Sequence, residues 1–218
     1  MPQVPAPFPL LNDAKLTNYD WTDLASGTGY VTYYGVNTFD GSTFLSPNRL
    51  DSYNWYYGAA PPTTEQQVHD LDFDVTFDLP QTIDGILYVT HTYAVTNNNG
   101  VNTMQSYTKV RVYHYDGSTE TEIGAQVTTT TLAAGGVGQV QAARPTIQFD
   151  ITRQFKAGET LRVNFEVWAW ISSGSSSYAF YADGSNRGTG AVLSTPQAIT
   201  GHTANTDIQV QVPFKIFI

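Results

Sequence analysis

Asp70, Asp72 and Asp74, three carboxylates at every second position, form the densest cluster of potential ligands in this 218-residue chain. Oxygen donors in that number suit a hard divalent cation. An EF-hand loop starting at Asp70 needs Gly at position 75 and Glu at position 81, where the chain has Val75 and Gln81. Alternate residues of a strand also stand about 7 Å apart on one face. The favoured reading is a solvated strand face, with a metal or intersubunit cation site as the alternative.

Other chemistries leave weaker marks. The histidines are His69, His91, His114 and His202, and His91 and His114 fall on segments that adjacent strands would bring together. No spacing demands that pairing, and no metal or other cofactor is expected. A G-x-S-x-G elbow is missing, and Gly174-Ser175-Ser176-Ser177 has the composition of a linker. Nineteen acidic residues make chance pairs of carboxylates inevitable, so glycosidase-like pairs carry no weight. No catalytic residue is assigned. The aromatic run Tyr53, Trp55, Tyr56 and Tyr57 and the pair Trp168 and Trp170 are the best binding candidates. They suit a subunit interface or a platform for stacking sugar rings.

Strands must position these residues. From Ile208 through Val210, Val212, Phe214 and Ile216 to Ile218 every second residue is apolar. A period of two fits a sheet with one wet face and no helix. Leu71, Phe73, Val75, Phe77 and Leu79 repeat it, as do Leu161, Val163, Phe165, Val167 and Ala169. Further strands are expected at Tyr30–Val36, Ile86–Val95, Gln105–Tyr115, Glu120–Thr130, Pro145–Thr152 and Tyr178–Ala182. Asp-Gly pairs at 40–41, 84–85, 116–117 and 183–184 mark reversals, because Gly supplies the positive φ of tight turns. Leu132–Gly138 reads as a loop and Asn12–Leu24 as the best candidate for a short helix. The whole predicts an all-β protein, a two-sheet antiparallel sandwich of jelly-roll type, as a single domain over residues 12–218.

Residues 1–11 precede it as an extended arm. Pro2, Pro5, Pro7 and Pro9 fix φ and remove donors, which favours polyproline conformation, and Val4, Phe8 and Leu10 are interleaved with them. Val4, Pro5, Pro7, Phe8, Pro9 and Leu10 are the residues expected to grip a partner. Charged residues make up only 13% of the chain, about half the usual share, and Thr, Ser, Asn and Gln take their place. Such surfaces suit contacts between subunits, since they hydrogen-bond without burying charge. The net charge of −9 and scattered cations argue against nucleic acid, and no long apolar segment argues for a membrane. Zero cysteines exclude disulfides and thiol chemistry.

The runs Asp70–Phe77, Lys109–Gly117 and Phe155–Val163 and the ending Val212-Pro213-Phe214-Lys215-Ile216 resemble small all-β virion structural proteins of tailed bacteriophages and related viruses. That resemblance spans Asp70 to Ile218. It implies a non-enzymatic capsid decoration, cement or fibre protein on the outer surface of the virion, bound to other capsid subunits and commonly a homotrimer. The alternatives are a carbohydrate-binding module, a tail or receptor-binding component, and a self-assembling major capsid protein.

Overall fold

The computed structural model describes residues 28–38, 41–50, 55–58, 61–97, 102–172, 176–182 and 205–215. Every regular element among them is a strand: β1 (Thr28–Asn37), β2 (Thr43–Ser46), β3 (Trp55–Gly58), β4 (Gln66–Thr76), β5 (Gln81–Thr90), β6 (Thr92–Asn97), β7 (Met104–Tyr115), β8 (Glu120–Thr128), β9 (Leu132–Ala134), β10 (Val140–Ala143), β11 (Thr146–Phe155), β12 (Thr160–Ile171), β13 (Ser176–Tyr181) and β14 (Gln209–Lys215). The protein is all-β, as its periodicity predicts. The arm and the helix candidate Asn12–Leu24 lie outside the described residues.

Two sheets result, a ten-stranded one in the order β11-β5-β14-β1-β2-β4-β12-β7-β8 with β9 also on β7, and a four-stranded one in the order β10-β6-β13-β3. The antiparallel pairs nest: β7 with β9, β6 with β10, β5 with β11, β4 with β12, β3 with β13 and β1 with β14. From Gly58↔Tyr178 through Thr76↔Thr160 and Thr90↔Thr146 to Thr96↔Val140, partner numbers sum to 236, apart from one slip at Val167/Trp168. The two limbs of the chain therefore run side by side without net insertion. Their tip is the Asp116-Gly117 turn between β7 and β8, where Gly117 has φ 95° and Asp116 Oδ1 accepts hydrogen bonds from the Ser118 and Thr119 amides at 2.9 and 2.8 Å. These bonds hold the Asp116 carboxyl down at about 2.

The large sheet curls until its edges nearly meet. Arg153 of β11 donates to His114 of β7, and Phe149 of β11 packs where Gly124 of β8 has no side chain, 2.7 Å from where its Cβ would stand. The large sheet is thus nearly barrel-shaped, and the small sheet helps to fill its interior. One apolar cluster spans both sheets, with Phe73, Leu87, Phe155, Leu161, Phe165 and Phe180 fully buried.

Three sequence expectations need correction. The predicted strand Ile86–Val95 is two strands, because the fully buried His91 hands the chain from the large sheet to the small one. All six residues of β6 are buried, so period two no longer reads out its faces. Asp84-Gly85 is no reversal: Gly85 pairs with Ile151 inside β5. Its φ of 135° accompanies a register shift opposite Pro213, which has no amide to give to the ladder. The predicted loop Leu132–Gly138 contributes β9.

Candidate functional site

A groove on the outer face of β1 brings aromatic and polar side chains together among the described residues. Alternation sends Tyr33 into the core and leaves Tyr30, Thr32 and Tyr34 half-buried on the outer face. Thr32 pairs with Gln211 of β14, which in turn pairs with Tyr88 of β5, and the Tyr30 and Tyr88 rings lie 6.1 Å apart. Pro47, Asn48 and Arg49, following β2, wall the other side, with the Asn48 amide donating to Ser46 Oγ at 3.1 Å. The space they border is open to solvent and measures about 570 Å³, within the range of ligand sites.

Arg49 is clamped into this wall. Its guanidinium sits 4.6 Å from the Tyr34 ring centre, and its Nη2 lies 2.8 Å from Asp207 Oδ2. Asp207 is fully buried and also receives Arg144 Nη2 at 2.7 Å and Gln209 Nε2 at 2.7 Å. Two guanidiniums thus neutralise a carboxylate taken out of water. Close approach of Ile208 fixes the strand geometry beside them: Gly35 N donates to Ile208 O at 3.0 Å, and a Cβ on Gly35 would stand 2.8 Å from that of Ile208. The groove presents aromatic faces together with donors on Arg49, Asn48, Gln211 and Thr32, and among the described residues no carboxylate lines it.

The predicted residues Trp168 and Trp170 stand half-buried on β12. Trp168 stacks on Tyr107 with 4° between the planes, and Lys109 Nζ sits 3.9 Å from the Trp168 ring centre. Trp170 meets Tyr107 edge-on at 6.0 Å, Trp168 Nε1 donates to Glu166 Oε2 at 2.9 Å, and Tyr107 OH donates to Glu65 Oε1 at 2.5 Å. Burial, and then Glu65, push the Tyr107 hydroxyl upward. Trp55, Tyr56 and Tyr57 belong to β3 at an edge of the small sheet, so the structure puts the two aromatic groups on different sheets. Tyr53 and the arm residues Val4, Pro5, Pro7, Phe8, Pro9 and Leu10 lie outside the described residues.

The aspartate strand is matched internally. Arg162 Nε and Nη2 engage both oxygens of Asp74 at 2.8 and 2.7 Å, its Nη1 reaches Asp72 at 3.2 Å, and it also donates to Glu120. Asn164 Nδ2 donates to Asp70 and Asp72 at 2.6 and 2.8 Å. Burial raises the Asp72 carboxyl above its ordinary value, opposed by Asn164 and Arg162. His91 and His114 do not meet. His91 Nε2 bonds Thr108 Oγ1 at 2.7 Å, whereas His114 Nε2 lies 2.7 Å from Glu159 Oε2 at the far end of β7.

Sequence reading missed the groove residues, although Tyr30, Thr32 and Tyr34 carried a signal: the outward face of a strand holding rings where charges are commoner. Pro47–Arg49 and Gln211 reach the site from distant parts of the chain.

No protein-family model and no curated protein matches the sequence. Among solved structures, the chain is similar to a CocE/NonD family hydrolase from Staphylococcus aureus, with a TM-score of 0.46 and 11% identity, over 86% of this chain and 37% of that one. An aminopeptidase from a marine sediment Thaumarchaeota archaeon gives 0.45 and 8%, over 87% and 37%. The VP2 protein of infectious bursal disease virus gives 0.26 and 12%, over 87% and 40%. The chain thus spans little more than a third of the two hydrolytic proteins. The expectation of a non-enzymatic virion structural protein is corrected accordingly: the higher-scoring of these neighbours are described as a hydrolase and an aminopeptidase, and the capsid protein scores lower. A low-scoring likeness to a viral capsid protein remains, and none of these neighbours is a bacteriophage decoration protein.

Proposed function

We propose that this chain is a polypeptide-binding β domain whose β1 groove takes an extended, proline-rich segment. The carrying observation is the pairing of Tyr30 and Tyr34 with the clamped Arg49 and with Asn48 and Gln211. A polyproline helix has no internal hydrogen bonds and few amide donors, so it offers flat pyrrolidine rings and unpaired carbonyls. Aromatic-lined grooves that also hold donors recognise such segments. Arg49 and Arg144 share the one carboxylate of Asp207, so the cluster keeps a positive charge that suits carbonyl oxygens as ligands. A jelly roll is the fold-level part of this reading: nested antiparallel pairs describe one long hairpin rolled around its core.

A titration of the full-length protein with a synthetic ten-residue polyproline peptide, followed by NMR shifts or tyrosine fluorescence, tests the assignment. Saturable binding that weakens at least tenfold in Tyr34→Ala is expected. Equal binding by native protein and Tyr34→Ala, or no saturation by the peptide, refutes it.

A further inference from the structure

Resting on the peptide-binding reading, we infer that the groove's occupant is the proline-rich segment Pro2–Leu10 of a second copy of this chain, so that the groove links protomers.

The segment fits the groove chemically. Pro2, Pro5, Pro7 and Pro9 supply the rings and leave carbonyls without neighbouring donors, and residues 2–10 carry no charge. The groove holds the complement, Tyr rings and the donors of Arg49, Asn48, Gln211 and Thr32, with no carboxylate among its described lining residues. Ordering a segment already restricted in φ loses little entropy.

The segment is longer than its seat. Tyr30 to Tyr34 spans about 13 Å of strand, whereas nine residues in polyproline conformation reach about 28 Å. More than half of the segment overhangs the groove and needs a further surface. The rim beside Arg49 carries Leu50, which is 40% exposed, an apolar contact for a neighbouring protomer. The uncharged polar composition of the chain suits the same contact.

Two full-length variants test the inference by complementation. One carries Pro5→Gly, Pro7→Gly and Pro9→Gly and so lacks the ligand; the other carries Tyr30→Ala and Tyr34→Ala and so lacks the seat. Thr32→Trp, which fills the groove from an outward strand position, replaces the second should the double alanine variant lose its cooperative thermal transition. By light scattering the native protein is expected to be an oligomer and each variant alone a monomer. An equimolar mixture should contain a two-chain species held by one intact arm and one intact groove. A monomeric native protein, or variants that keep the native mass, overturns the inference. The arm variant is also titrated with synthetic peptides. Binding of polyproline but not of a residue 2–11 peptide removes only the self-occupant; binding of neither removes the peptide-binding reading as well.

Discussion

Arg153 Nε donates to His114 Nδ1 at 3.0 Å, joining β11 to β7 across the seam where the edges of the large sheet approach. An arginine nitrogen cannot accept a hydrogen bond, so Nδ1 carries the lone pair and the ring proton sits on Nε2, facing Glu159 Oε2 at 2.7 Å. The imidazole is fixed as a bridge between a cation and a carboxylate, and Phe155 packs edge-on against it at 4.6 Å.

Loss of that bridge should loosen the seam. Arg153→Ala leaves Nδ1 of the buried His114 without its donor, at an expected cost of about 1–3 kcal/mol. Urea unfolding measures it. A cost below about 0.5 kcal/mol would mean that the seam rests on its apolar contacts, Phe155 against His114 and Phe149 over Gly124.

Gly117 should act on folding more than its small size suggests. The left-handed φ of 95° makes Gly117→Ala cost about 1–2 kcal/mol. Because the antiparallel pairs nest outward from this turn, the tip closes the shortest loop and later pairs build upon it. The folding arm of the chevron should therefore carry most of the change. A change confined to the unfolding arm would show that the tip forms after the transition state.

Much of this architecture was legible in the sequence, because local alternation reports which side of a strand is wet. Leu161, Val163, Phe165, Val167 and Ala169 all face the core as their spacing predicts, and Asp116-Gly117 is the reversal expected of it. Pairing was not legible: the common register joins residues as distant as Gly58 and Tyr178, a relation that no local window contains. β6 hid for a different reason, since burial on both sides removes alternation. The groove hid because Arg49, Arg144 and Asp207 meet only after the chain has rolled up.

Acid should unfold the protein through His91. Burial, and then the nearby Arg144, push its pKa down to about 3. The unfolded chain takes up that proton near 6.5. Between these values the unfolded state binds more protons, so this contribution is intact above about pH 6.5 and is lost as pH falls toward 3, with a slope of at most about 1.4 kcal/mol per pH unit. His91→Gln should flatten the pH dependence of the urea midpoint while lowering stability at pH 7. Parallel profiles for the two proteins would assign the acid sensitivity elsewhere.

Asp207 and Arg49 should separate stability from binding. Asp207 is fully buried between Arg144 and Arg49, so Asp207→Asn leaves two guanidiniums without their counter-charge, at an expected cost of about 3–5 kcal/mol. The Arg49 side chain is 39% exposed, and Arg49→Ala still leaves Asp207 paired with Arg144; its expected cost is below about 1 kcal/mol. It removes the donor that lies over Tyr34, however, so binding of a proline-rich peptide should weaken by about tenfold, the equivalent of about 1.4 kcal/mol. Thermal unfolding and peptide titration of the two variants read out both effects. Arg49→Ala that binds as native does would take the guanidinium out of the recognition surface and leave it only the role of covering Asp207.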